Sequence, residues 1–306
     1  MSGGFRCAGA SLLRDEPLAG TASTVRAFLL LENPGPWGES ALRDARLPDG
    51  LGEELSARAA AARVRVLLIR RPAPRRGRRA ARSEGLRVFA AYAHHAEPWL
   101  ETTVLEDVHQ VHDLDVESLG AGRRPGLTPH PGPVFAVCTH GRHDTCCAER
   151  GRPVAAALAE AHPEQTWEVS HIGGDRFAAN ALVLPHGLYY GRLTAETAAD
   201  VAAAHLAGRV SLDHLRGRSG MAMTLQYAEL ALRRELGETT LDGVRFVSRA
   251  ARGDTVTAVF EARGAPYEVT VRSTTSAERR QLTCSATRDN AVVQHELVGI
   301  GSAGGS

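Results

Sequence analysis

Residues 134–162 read VFAVCTHGRHDTCCAERGRPVAAALAEAH. The first five are an apolar run too short for a helix and suited to a buried strand. The last fifteen set Val154, Leu158 and Ala161 on one face at helical spacing. Between them, Val137 to Cys147 hold three of the chain's five cysteines, with His140, His143 and Asp144. The next apolar segment, TWEVS (166–170), reads as a second strand. A strand–helix–strand crossover joins parallel strands, in right-handed sense, and so puts their C-terminal ends on the same edge of the sheet. The cysteine loop and the loop that follows, HIGGDRFAAN (171–180), should therefore meet in space.

Working outward, ALVLP (181–185) and LYYGR (188–192) make a hairpin across His186-Gly187, and 194–208 is a helix. The order βαβ then ββα is that of a thioredoxin-like unit. Upstream, VRAFLLL (25–31), VRVLLIRR (64–71) and LRVFAAYA (86–93) read as strands, with a helix near Leu51–Ala62. That order is similar, without a cysteine motif, and points to a degenerate tandem repeat. Beyond Gly217 the texture changes. A helix over 221–236 precedes GVRFVSRA, TVTAVFEA, PYEVTVRS and RRQLTCSA, all of which alternate like antiparallel strands. The expected class is α/β in its parts and α+β overall. The expected division is an N-terminal α/β region over 1–125, a thioredoxin-like domain over 126–216, a small antiparallel α+β unit over 217–300 and a flexible tail over 301–306.

Composition narrows the function. A net charge of +1 gives no whole-molecule field for a polyanion, and all 36 basic residues are arginine. The run PAPRRGRRAARSEG (72–85) has no interleaved aromatics to stack bases, so it reads as a solvated loop and no nucleic-acid partner is expected. The N-terminus lacks a basic stretch followed by an apolar one, and no apolar run approaches about 20 residues. A cytoplasmic protein without membrane insertion is expected. Disulfides are uncommon there, so five cysteines, three of them clustered, suit metal or redox chemistry better than a disulfide framework.

Cys138 and Cys147 have eight residues between them, too many for a tight zinc knuckle, but suited to a loop wrapping a larger object. Cys146 and Cys147 stand at a helix start, where the dipole favours thiolate. His171 and Asp175 flank two glycines that let the backbone turn close to a ligand. Two thiols, an imidazole and a carboxylate can complete four ligand positions. By residue type alone, metal binding, a mononuclear zinc ion included, and a thiol-dependent oxidoreductase both remain open. Cys146 reads as a small buried hydrophobe, Asp144 as a turn residue bonding backbone N–H groups, Trp37 as part of a packed turn, and Cys7 and Cys284 as ordinary thiols remote from the site.

The segments CTHGRHDTCC (138–147), HIGGDRFAANALVLPHGLYYGR (171–192), EPLAGTA (16–22) and LLLENPGPWG (29–38) carry a resemblance. Over roughly residues 7–220 the chain resembles the sucrase/ferredoxin-like family, which includes thioredoxin-like ferredoxins. The resemblance implies a [2Fe–2S] cluster, one-electron transfer and a redox partner protein, either a reductase or an acceptor, with no substrate of the chain's own. Related members use two cysteines of the first motif and two histidines of an H-x-G-G-H motif. By position these are Cys138, Cys147 and His171, with Asp175 where the pattern has histidine. Asp175 is thus the departure; Cys146, His140 or His143 are the alternatives for the fourth position. The sucrase in the family's name would need two carboxylates flanking a sugar bond, and no such pair stands out.

Overall fold

The computed structural model describes residues 4–73 and 85–302. Most of the arginine run at 72–85 and the tail beyond 302 lie outside the described residues. Ten strands form one mixed sheet. They are β1 (Ala27–Glu32), β2 (Val64–Arg70), β3 (Leu86–Tyr92), β4 (Trp99–Leu105), β5 (Thr128–Pro129), β6 (Val134–Cys138), β7 (Thr166–Val169), β8 (Ala181–Leu184), β9 (Leu188–Tyr190) and β10 (Leu215–Arg218). The helices are α1 (Cys7–Leu13), α2 (Ala41–Asp44), α3 (Leu51–Ala61), α4 (Val116–Gly120), α5 (Thr145–Ala161), α6 (Ala195–Leu206) and α7 (Met223–Leu236). No helix among the described residues is long and apolar enough to cross a membrane.

The spatial order is β10-β9-β8-β6-β7-β2-β1-β3-β4-β5. Within it one pattern occurs twice. β1 and β2 are parallel across α3, β3 is antiparallel to β1, and β4 to β3. β6 and β7 are parallel across α5, β8 is antiparallel to β6, and β9 to β8. The two halves join where β2 pairs antiparallel with β7, Ile69 opposite Val169 and Arg70 opposite Glu168. An ion pair of 2.7 Å between Arg70 and Glu168 closes that seam, and Arg71 lies over the Trp167 ring. The sheet is therefore continuous across residue 125.

Side-chain alternation along the strands divides the core. On β6, Phe135 and Val137 face α5 and α6, packing with Val154, Leu158 and Val201. Ala136 and Cys138 face the other way, into an apolar cluster shared with Phe28 and Leu30 of β1 and Trp167 of β7. Cys138 is the last residue of its strand, so its thiol stands where the apolar face runs out at the sheet edge.

A second sheet follows α7: β11 (Val244–Arg252), β12 (Thr255–Ala262), β13 (Ala265–Arg280) and β14 (Asn290–Ser302), antiparallel in sequence order. Leu225, Ala228 and Leu232 of α7 cover Phe260 and Val269. Arg263 and Gly264, both at positive φ, turn the β12–β13 hairpin. The fourth strand corrects an expectation. RRQLTCSA (279–286) continues as strand only through Arg280; the rest is a loop, and the strand is 290–302. Pairing decides this, because β14 matches β13 from Arg280↔Asn290 to Tyr267↔Ser302.

Candidate metal centre

Three structural facts bring the expected residues together. Cys138 ends β6, and its N–H donates to Asn180 O at 2.9 Å. Cys147 lies in the first turn of α5. Asp144 caps that helix by accepting from Cys146 N at 2.8 Å. The loop after β7 turns through Gly173 and Gly174 at φ 98° and 81°, returning Asp175 toward α5. A Cβ on Gly174 would lie 2.1 Å from the Arg216 guanidinium, so this position takes glycine for space as well as conformation.

The ligand atoms of Cys138, Cys147 and His171 lie within 4.8 Å of one another. Asp175 Oδ1 is 3.1 Å from Cys147 Sγ and 2.9 Å from His171 Nδ1. Among the described residues His171 Nδ1 makes no aligned hydrogen bond, but it faces the Asp175 carboxylate as a close charge pair. Cys138, Cys147 and His171 form one group of donors that could hold a cation, and Asp175 falls in a second group, with His143 and His171.

The charges are strongly coupled. The Cys147 S–H donated to Cys138, helped by His171, holds Cys138 well below the usual thiol range despite its burial. Cys147 is pushed up, first by Cys138 and then by burial. Burial opposes the charge on His171, but Asp175 and Cys138 outweigh it and lift the imidazole to about 9. Burial likewise opposes ionisation of Asp175, and His171 more than offsets it, holding the carboxyl below its ordinary value.

Several contributors have no local signal in the sequence. Arg216, on β10, is fully buried, has no carboxylate partner among the described residues, and donates to Gly173 O at 2.9 Å, Asn180 Oδ1 at 2.8 Å and Thr21 O at 2.6 Å. It braces the His171–Asp175 loop and puts a fixed positive charge beside an anionic donor set. Burial lowers its own pKa to about 10. Arg65 and Ser23 hold the same loop through the carbonyls of His171 and Ile172. The His143 ring stacks on His171 with centroids 3.7 Å apart, and its Nε2 is 3.9 Å from Asp175 Oδ2. His140 does not join the ligand atoms: its Nδ1 accepts from His171 N at 3.2 Å, and its Nε2 contacts Gly38 O at 2.9 Å. Trp37 is buried against it, with the indole N–H on Asn33 O.

As expected, Cys146 is buried in an apolar cluster and Cys7 and Cys284 are free thiols. Cys7 and Cys284 are not isolated thiols: both meet Cys146, which turns away from the Cys138 site. Asp144 does bond backbone N–H groups, and one of the two belongs to Cys284, 140 residues away.

Neither the curated proteins nor the solved structures include a match to this chain. One protein-family model, described as Sucrase/ferredoxin-like, matches residues 18–217. The matched stretch spans β1 through most of β10 and contains Cys138, Cys147, His171, Asp175 and Arg216. Cys7, α7 and the four-stranded sheet lie outside it. With about two thirds of its length matched, the chain belongs to the sucrase/ferredoxin-like family.

Proposed function

We propose that this chain is a [2Fe–2S] electron-transfer protein of thioredoxin-like fold, with the cluster held by Cys138, Cys147, His171 and Asp175. The observation that carries the reading is the convergence, at one sheet edge, of two buried thiols and the His171 imidazole. The order β7-β6-β8-β9, with α5 as crossover and α6 following, supports the thioredoxin-like unit. The matching order β2-β1-β3-β4 supports a degenerate repeat before it. We likewise take residues 126–216 as the cluster domain and 217–300 as a separate appended unit. When bound, the cluster supplies one-electron chemistry. The chain's own residues bind it, keep water from its thiolate side and stabilise its negative charge through Arg216. His171 and the His143 ring stacked on it are the partly exposed groups at the site, with side chains 26% and 36% exposed. A redox partner would approach there.

A thiol-dependent oxidoreductase is less well supported. Cys138 and Cys147 are each only 1% exposed, and the thiol on the helix is held protonated, whereas reactive cysteines are accessible thiolates. A single zinc ion is the second reading, favoured by the spacing. The edge of a tetrahedral thiolate site is about 3.8 Å, and the Cys138, Cys147 and His171 ligand atoms are within 4.8 Å as they stand.

The test is metal and sulfide analysis of freshly purified protein, with visible spectra before and after dithionite. Iron, acid-labile sulfide and absorption that bleaches on reduction are expected, all lost in Cys138→Ser. Colourless protein whose zinc is lost in Cys138→Ser would establish the second reading instead. Two ligand replacements give directional predictions for redox titration. His171→Cys should keep a cluster and lower its potential, because a thiolate replaces an imidazole; Asp175→His should raise it, because a negative ligand becomes neutral. An unchanged potential in either variant removes that residue from the coordination shell.

A further inference from the structure

We propose that Cys7, Cys146, Cys284 and Asp144 form a second metal site, for a single thiophilic divalent cation of the zinc type, which clamps the C-terminal sheet to α1 and α5. The four come from separate parts of the chain: the start of α1, the cap and first turn of α5, and the β13–β14 loop. Cys7, Cys146 and Asp144 are almost completely buried and Cys284 partly so. Each offers a ligand atom within 4.8 Å of the other three.

Three of the six ligand pairs stand at distances close to the edges of a tetrahedral zinc site, and the other three lie within 4.8 Å. With Zn–S near 2.3 Å and Zn–O near 2.0 Å, the sulfur–sulfur edge is about 3.8 Å and the sulfur–oxygen edge about 3.5 Å. Cys146 Sγ lies 3.4 Å from Cys284 Sγ, and Cys284 Sγ 3.6 Å from Cys7 Sγ. Cys7 Sγ lies 3.6 Å and 3.5 Å from the two Asp144 oxygens. A disulfide needs about 2.05 Å. One disulfide would also leave the third thiol and the carboxylate buried together with nothing to join them. Three thiolates and a carboxylate around one cation use all four groups.

The arrangement is braced as metal sites are, by contacts that aim the ligands. Asp144 is fixed by backbone N–H donors on both sides, Cys146 N at 2.8 Å and Cys284 N at 2.7 Å. The site also explains the adjacent pair at 146–147. On consecutive helical residues the thiols point apart, so Cys147 serves the first centre and Cys146 the second.

The site's role would be structural. Cys7 and Cys284 lie outside residues 18–217, the stretch matched to the family, so the clamp would secure what this chain adds to it. The loop it holds also reaches the first centre, where Ser285 Oγ lies 3.5 Å from His143 O.

The test uses the full chain, purified from zinc-supplemented medium. Metal analysis of wild type and Cys284→Ser should show one zinc per chain lost in the variant, with whatever metal Cys138 and Cys147 hold retained. Equal zinc in both proteins overturns the proposal. A second measurement needs no variant. Native wild type is alkylated with and without a chelator, and the Cys284 peptide is read by mass spectrometry. Protection that the chelator abolishes is expected. Ready alkylation without chelator, or a disulfide joining Cys284 to Cys146 or Cys7, overturns it.

Discussion

Glu229→Gln is expected to lower the unfolding free energy by about 3–5 kcal/mol, the usual cost of removing one partner from a buried ion pair. Glu229, on α7, is 3% exposed, and its Oε1 takes Arg218 Nε at 3.0 Å and Arg233 Nε at 2.9 Å. Both guanidiniums are as deeply buried as the carboxylate. Each also donates to Leu241 O, and Arg233 reaches Thr240 O at 2.8 Å. Glutamine keeps an acceptor but leaves two buried positive charges with no counter-charge. The loss is large against a typical total of about 5–15 kcal/mol. Arg218 is on β10, the edge strand of the large sheet, so the triad fastens α7 to that sheet. Urea unfolding of the two proteins measures the difference.

The same carboxylate sets an acid limb. Burial opposes its ionisation, but Arg218 and Arg233 outweigh burial and hold its pKa below the ordinary glutamate value. Its contribution is therefore complete above the unfolded-state pKa, in the usual glutamate range, and is lost as pH falls through the lower folded value. In Glu229→Gln this component of acid destabilisation should vanish. If wild type and variant lose stability in parallel below that range, Glu229 is not the group responsible.

How far the sequence reveals this molecule depends on the range of the interaction. β6, α5 and β7 are legible because each has a clear local period and the crossover rule then fixes their relation. Together they put the loops that carry Cys138, Cys147, His171 and Asp175 at one edge of the sheet. β4 was not legible. WLETTVL mixes threonine and a buried glutamate into its run, and Glu101 is accommodated by Arg124 and the N–H of Leu127. The loop after β13 looked like a strand because QLTCS alternates as β14 does; only pairing across the hairpin separates them. The joining of the halves rests on two β2–β7 register pairs, without a local signature. The meeting of Cys7 with Cys284, 277 residues apart, has none either. Arg216 was hidden for a further reason. An arginine in LRGR reads as a surface residue, and only the carbonyls of Gly173 and Thr21 show why it is buried.

Gly151→Ala is expected to destabilise the fold by about 1–3 kcal/mol through overpacking and to weaken metal binding at Cys138 and Cys147 by about 10–100-fold, as losses of supporting contacts do. In an exposed helix interior the same change stabilises by about 1 kcal/mol. Here the sign reverses because of what Gly151 touches. A Cβ would stand 2.0 Å from the carbonyl oxygen of Cys138 and 3.1 Å from its carbon. Both are backbone atoms, so no rotamer can relieve the clash, and α5 must move away from the end of β6. Cys147 lies one turn before Gly151 on the same helix and moves with it, while Cys138 stays on the sheet. The substitution thus separates two thiols without altering either. Gly132→Ala is the control, since nothing lies within 4 Å of a Cβ there and its φ is not positive. Metal content after dialysis against a graded chelator, with urea unfolding in parallel, reads both effects. A Gly151→Ala protein that keeps its metal as wild type does would show that the separation of β6 and α5 does not govern the centre.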